Sequence, residues 1–281
     1  MKRGAHRRQV RLFQGLRGVC YLCATLAVLA LAYIVFFILS RGVTNLSWAF
    51  IVKDYTPDFP TIKPALLGTL YIVVIAVMIA GPIGIFSAIF LTEYDFDSRA
   101  LAVIRVAVET LAGIPSIVYG LFGYIVFVLM FGWEHSMLAG GITVSVMILP
   151  IIIRATEEAL LSVPQVYREG SYALGASKTR TIFRVILPAA AGGIVSALIL
   201  AVGRVISESA VLILTIGMVV YKNPSLMHPG TTLALDIYYF GSQGYPKEAT
   251  ATAVVLLMLV LSINLLATLL GKILSKGKLP E

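Results

Sequence analysis

Long apolar stretches alternate with short polar ones along the whole chain, and the pattern reads as a series of membrane crossings. A helix covers ~30 Å of hydrocarbon in about 20 residues. Six stretches read as crossings on that scale: 19–39, 66–91, 101–131, 138–153, 193–216 and 249–271. The first is followed by Ser40-Arg41-Gly42 instead of a small-residue cleavage site, which predicts a retained helix and not a signal peptide. The third would be about 46 Å long as one helix, too long for a straight crossing. Gly113 and Pro115 in its middle predict a bend or break, because proline removes a backbone hydrogen bond and clashes with the preceding turn. The segment from Gly217 to Lys247 predicts an ordered connection with one short helix around Leu233 to Phe240.

Basic residues orient this pattern. Lys2, Arg3, Arg7, Arg8, Arg11 and Arg17 precede the first crossing with no acid among them, which predicts a cytoplasmic N-terminus. Six crossings then return the C-terminus to the cytoplasm. The inner loops and ends carry those six together with Arg99, Arg154, Arg168, Lys178, Arg180, Arg184, Lys272, Lys276 and Lys278, against Arg41, Lys53, Lys63, Lys222 and Lys247 outside. The asymmetry agrees with the positive-inside rule, although Glu93, Asp95 and Asp97 outnumber Arg99 in the loop 92–100.

Composition supports the same class. The chain is 59% hydrophobic and 13% charged, against about 25% charged in soluble domains. Its mean hydropathy is +0.93. A secreted disulfide scaffold, a disordered tail protein and a cytosolic enzyme with an anchor are excluded. The net charge of +8 lies at membrane edges, so it does not point to nucleic acid. Cys20 and Cys23 have no second pair and no nearby histidine for a metal site, which predicts thiols buried in lipid.

Three stretches carry candidate chemistry. In the polar loop 154–192, Pro164 opens a helical stretch that runs through Glu169 to Leu174 and meets Gly175, a residue able to take the left-handed conformation that ends a helix. Ser177 is placed to cap a second helix carrying Lys178, Arg180 and Arg184, which Pro188 is expected to stop. The expected product is a helix, glycine turn, helix hairpin at the cytoplasmic surface. In the second stretch, a helix interrupted at Gly113 and Pro115 would expose N–H groups that attract anions, with Ser116 and Tyr119 adding hydroxyl donors. A proline kink packed against its neighbours fits the same residues.

The third stretch is Arg204-Val205-Ile206-Ser207-Glu208, near the middle of the fifth crossing. The i, i+4 spacing places the two charges on one helix face, where each offsets the cost of about 2.5 to 3.5 kcal/mol of a central charge. An anion path and a fixed pair cementing helices both remain open. Arg105 and Glu109 repeat the spacing closer to the cytoplasmic end, where Arg105 can snorkel to water.

Glu169-Gly170-Ser171, three residues, Gly175, nine residues, then Val185-Ile186-Leu187-Pro188 resembles the E-A-A-x3-G-x9-I-x-L-P signature of permease subunits of bacterial ABC importers, with Gly170, Ser171 and Val185 as departures. The run Leu111 to Gly123, with Gly113-Ile114-Pro115-Ser116 inside it, is similar to the A-G-I-P-S-x-V-x-G-L-F-G run of phosphate importer permeases. Over about residues 66–271 the sequence looks like the PstA type of phosphate ABC transporter permease. That resemblance implies an all-α polytopic membrane protein of six transmembrane helices with the ABC importer permease (MetI-like) fold. It divides into a basic cytoplasmic N-terminus 1–18, a first transmembrane helix and external segment 19–64, a permease core 65–272 with its coupling hairpin at 155–190, and a cytoplasmic tail 273–281.

The resemblance implies coupling to an ATPase through Glu169, Gly170, Ser171, Gly175, Lys178 and Arg180, and a substrate pathway at Arg204, Glu208, Ser116 and Tyr119, beside the helix break at Gly113 and Pro115. The implied partners are a second homologous permease subunit, a dimer of ATP-binding subunits, an external phosphate-binding protein and membrane lipid, with no nucleic acid. The implied location is the bacterial inner membrane with both termini cytoplasmic. No P-loop is present, so ATP and magnesium belong to the partner ATPase and the chain is no enzyme by itself. No H-E-x-x-H or G-x-S-x-G motif is present either. Another oxyanion such as phosphonate or sulfate, the PstC-type partner subunit, and a secondary anion transporter are the alternatives.

Overall fold

The computed structural model describes residues 2–56, 59–94, 98–219 and 225–275. Asp95, Asp97, Lys222, Lys276 and Lys278, which entered the charge argument, lie outside the described residues, as does the predicted tail from 276 onward.

Among the described residues the chain forms twelve α-helices and no named strand. Helix α1 (Lys2–Gly42) is followed by the short α2 (Trp48–Val52), the long α3 (Lys63–Glu93) and α4 (Ser98–Gly113). Next come α5 (Ser116–Gly123), α6 (Met137–Leu161), α7 (Gln165–Ala173) and α8 (Lys178–Thr181). The last four are α9 (Leu187–Ile206), α10 (Ala210–Thr215), α11 (Leu233–Ser242) and α12 (Pro246–Ser275). Five continuous helical spans are long and apolar enough to cross a membrane, and the bent pair α4–α5 makes a sixth.

One crossing breaks where the pattern predicts a bend or break, and another needs correction. The third is bent by 97° between its two halves, far more than a kink, because Pro115 adopts the extended conformation (ψ 140) between α4 and α5. The fifth is helical from Lys178 to Ile206 but stops at Ser207, whereas the pattern predicts an unbroken 193–216. Pro188 does not stop its helix. A π-helical stretch, Ile182–Ile186, widens the turn ahead of it, and Pro188 falls in the first turn of α9, where its missing N–H is harmless.

Helices α3 and α6 form the centre. Around them a buried cluster gathers Ile72, Ala76, Val144, Ile148 and Ile152 with Tyr119 of α5, Val205 of α9 and Leu212 of α10. A second cluster at one end of the bundle joins Ile89 of α3 and Leu160 of α6 to Ile182, Ile186 and Ala190. At the opposite end, Phe50, Ile62, Leu233, Phe240 and Ala251 pack α11 against α3 and α12. The helix predicted around Leu233 to Phe240 is α11, capped by the Thr232 hydroxyl, which accepts from the Leu235 N–H. Helix α1 projects its apolar side chains outward, and Cys20 and Cys23 are exposed on it rather than packed against protein.

Candidate functional site

Two broken helices lie side by side. Gly120 on α5 sits against α10 so closely that a Cβ there would come within 3.0 Å of the Val211 Cα. That approach fixes α5 on α10.

At the first break, Pro115 lacks the N–H that would otherwise bond to the Leu111 carbonyl. The Tyr119 hydroxyl takes its place and donates to that carbonyl at 2.7 Å. Tyr119 is therefore buried and committed to bracing the break. Ser116 stands half-buried in the first turn of α5. Gly113 is the last residue of α4 and has open space where a Cβ would go, so the break depends on Pro115 and not on a need for glycine.

At the second break side chains bond to the backbone on both sides of the gap. The Ser207 hydroxyl donates to the carbonyls of Gly203 and Arg204, both at 3.1 Å. Glu208 Oε1 accepts from the Val211 N–H at 3.5 Å, at the start of α10, where a carboxylate suits the helix dipole. Glu208 Oε2 lies 3.1 Å from the Arg204 guanidinium, so the predicted pair forms even though the helix ends between its members. The two side chains differ in exposure: Glu208 is 4% exposed and Arg204 is 47% exposed. Arg204 lines a cleft of ≈ 390 Å³ together with Ile151, Leu200, Gly203, Ser207 and Asn264. The result is one fixed acid and one cation that reaches an open space.

Arg105 and Glu109 do not repeat this arrangement. Arg105 reaches Glu157 on α6 at 2.7 Å, and Glu109 reaches Arg154 at 3.2 Å. The two pairs tie α4 across α6 beside a cleft of ≈ 250 Å³. Both basic groups at this level thus face acids, which sets them apart from Arg204, whose acid is held by a helix start.

The hairpin forms as predicted up to Pro188. At the end of α7, Gly175 has φ +81, Ala176 N–H donates to the Ser171 carbonyl at 3.1 Å and Gly175 N–H to the Tyr172 carbonyl at 2.9 Å. This double bond pattern is a glycine-terminated helix end that a Cβ would strain. The Ser177 hydroxyl accepts from the Arg180 N–H at 3.4 Å and starts α8. Ser171 faces the second arm, its hydroxyl 2.8 Å from that of Thr181, so it braces the hairpin from within. Glu169, Gly170 and Arg180 are exposed, and Leu174 at the tip is 90% exposed. Lys178 is half-buried, with its ammonium 5.2 Å from the Tyr94 ring centre, a partner outside the hairpin.

Sequence reasoning placed Arg168 and Glu93 only as loop charges. They form a buried ion pair at 2.7 Å between the hairpin and the end of α3. The signal was present only as an arginine in the first turns of an amphipathic helix, with nothing local to name its partner.

Comparison with known proteins agrees with this architecture. Residues 80–279 match the family model described as "Binding-protein-dependent transport system inner membrane component". The chain is 34% identical over 278 residues to the probable ABC transporter permease protein YqgI of Bacillus subtilis, covering 92% of this chain and 95% of that one. It is 32% identical over 255 residues to the phosphate transport system permease protein PstA 1 of Mycobacterium tuberculosis, covering 87% and 83%. Among solved structures, an inward-facing conformation of the MetNI methionine ABC transporter superposes with a TM-score of 0.64 at 20% identity, covering 76% of this chain and 95% of that one. A bacterial alginate ABC transporter in complex with a pentasaccharide-bound periplasmic protein gives 0.64 at 16% identity, covering 90% and 95%. At these identities the structural likeness concerns the fold alone.

Proposed function

This chain belongs to the family of binding-protein-dependent transport system inner membrane components, and on that premise we propose that it is the permease subunit of an ATP-driven importer of inorganic phosphate. It works with a second permease, a dimer of ATPase subunits and an external phosphate-binding protein, in the inner membrane with both termini cytoplasmic. ATP and magnesium act in the partner ATPase. The observation that carries the substrate is Arg204: its guanidinium opens on a cleft while its counter-ion Glu208 is held by the start of α10. The name of the mycobacterial relative, a phosphate transport permease, supports the same class of anion.

The mechanism follows from this placement. Closure of the ATPase subunits around ATP drags the hairpin, through the exposed Glu169, Gly170, Leu174 and Arg180, and the helices rock so that the two breaks face first outward and then inward. Arg204 turns from Glu208 toward the passing anion, and Ser116 in the first turn of α5 adds a hydroxyl. Because Glu208 stays beside Arg204, binding is weak enough for release. Ser171 supports the hairpin from within, Lys178 ties it to Tyr94 outside, and Tyr119 braces the break.

The test is reconstitution. The complex of both permeases and the ATPase, placed in liposomes with the external binding protein, is expected to take up radiolabelled phosphate only with ATP. Uptake that excess sulfate or phosphonate abolishes while excess unlabelled phosphate does not would defeat the phosphate assignment.

A further inference from the structure

The hairpin is joined to the rest of the protein by more than the covalent run from α8 into α9. Arg168 lies on α7, and its guanidinium is spread over three acceptors. Nη2 donates to Glu93 Oε1 at 2.7 Å and to the Leu160 carbonyl at 3.1 Å, and Nη1 donates to the Val163 carbonyl at 3.0 Å. The side chains of Arg168 and Glu93 are 12% and 5% exposed, so water shares little of this arrangement.

Each acceptor marks the end of a core helix. Glu93 is the last residue of α3, where its carboxylate opposes the negative end of the helix dipole and needs a cation. Leu160 lies in the last turn of α6, its carbonyl also accepting from the Val163 N–H at 3.3 Å, and Val163 lies just past the Ser162 cap of that helix. One guanidinium therefore closes α3 and α6 together and attaches both to α7. Lysine could not do so, because a single ammonium lacks the planar fork that reaches acceptors in different directions.

The second arm of the hairpin holds the same point. The Lys178 ammonium lies over the ring of Tyr94, the residue after Glu93, at 5.2 Å, and Tyr94 stacks on Phe90 at 6.0 Å. Beneath both contacts, Ile89, Leu160, Val163, Ile182 and Ile186 form a continuous apolar floor. The tip of the hairpin is exposed, whereas its base is clasped from two sides.

We propose that Arg168 is a positioning residue for energy coupling: with Lys178 it locks the hairpin to the joined ends of α3 and α6, so that hairpin and α3–α6 pair move as one body when the ATPase closes. The stroke then reaches the central helices directly, in parallel with its covalent route through α9. This rests on the reading of the hairpin as the ATPase docking element.

The experiment uses the assembled transporter in lipid nanodiscs, with Cys20 and Cys23 replaced by serine and pairs of spin labels read by electron–electron double resonance. One pair, Phe86→Cys with Val166→Cys, reports the distance from α3 to α7. The other, Val166→Cys with Leu265→Cys, reports α7 to α12. All three sites are exposed. Adding a non-hydrolysable ATP analogue is expected to leave the first distance unchanged and shift the second. In the Arg168→Gln complex the first distance should change with nucleotide, and phosphate transported per ATP hydrolysed should fall at least tenfold while hydrolysis continues.

A nucleotide-dependent change in the first distance without the Arg168 substitution overturns the proposal, as does an unchanged transport ratio in Arg168→Gln. If Arg168→Gln fails to assemble, the first distance in the unsubstituted complex decides alone. Cross-linking of Leu174→Cys to the ATPase separates the two levels. Without that cross-link the docking reading itself falls, whereas a cross-link together with a mobile first distance defeats only the lock.

Discussion

Arg204 and Glu208 meet at 3.1 Å across the point where α9 ends, and only the arginine reaches open space. If the pair serves the anion path, Arg204→Gln abolishes uptake in a complex that still assembles. Replacing both by glutamine removes the cost of a stranded charge but leaves the anion without its counter-charge, so uptake stays at background. A pair that only held helices together would behave oppositely, since a neutral pair often replaces a buried ion pair without loss. The measurement is phosphate uptake by the double variant at matched complex levels, and near-normal uptake would refute the path.

Tyr119→Phe separates bracing from binding. The substitution removes the hydroxyl that replaced the missing proline N–H but leaves the Leu111 carbonyl its bond from the Ile114 N–H at 3.1 Å, so the cost is that of one hydrogen bond, about 0.5 to 1.5 kcal/mol. A lower Tm with an unchanged KM for phosphate is expected. Ser116→Ala should raise KM with little change in Tm. A raised KM in Tyr119→Phe would return its hydroxyl to the anion path.

The breaks and the hairpin show which features local sequence encodes. Pro115 and Gly175 act through their own backbone and Ser177 through a hydroxyl that reaches only three residues on, so the bend, the left-handed turn and the helix start were legible. The second break was not. Ser207 and Glu208 read as part of one unbroken crossing, and only the packing of Gly120 on Val211 and the reach of Glu208 to the Val211 N–H accompany its end there. Pro188 misled because a π-helical stretch absorbed it. The pairs Arg105 with Glu157 and Arg168 with Glu93 join residues 52 and 75 positions apart, beyond any spacing rule.

Orientation can be read from outside the cell. Cysteines introduced near Ser47 and Ser225, in a chain with Cys20 and Cys23 replaced by serine, should react with a membrane-impermeant maleimide in intact cells. Cysteines at Ser177 and Ser275 should react only after permeabilisation. External labelling at Ser177 would place the hairpin on the wrong side for any ATPase and overturn the coupling assignment.

The last prediction concerns Asp236, on α11 and outside the candidate membrane spans. Its side chain is buried, Oδ1 accepts from the Thr231 hydroxyl, and Oδ2 has no partner. Burial pushes its pKa up to about 7, a rise that the Thr231 bond only partly opposes. Nearby Tyr55 is also raised, first by burial and then by Tyr239 and Asp236, so it stays neutral throughout the relevant range. The folded-state pKa of Asp236 lies above its unfolded value of 3.8, so the folded state holds the proton more tightly. Its contribution to stability is fully present below about pH 4 and is lost as pH rises through about 7. Between pH 5.5 and 7 the loss is roughly 2 kcal/mol, at about 1.36 kcal/mol per pH unit. Asp236→Asn keeps an acceptor for Thr231 and mimics the neutral acid, so it should flatten this dependence and raise Tm at pH 8. Thermal melts of the purified complex at pH 5.5 and 8 decide the matter. An equally steep decline in the variant would show that another group titrates.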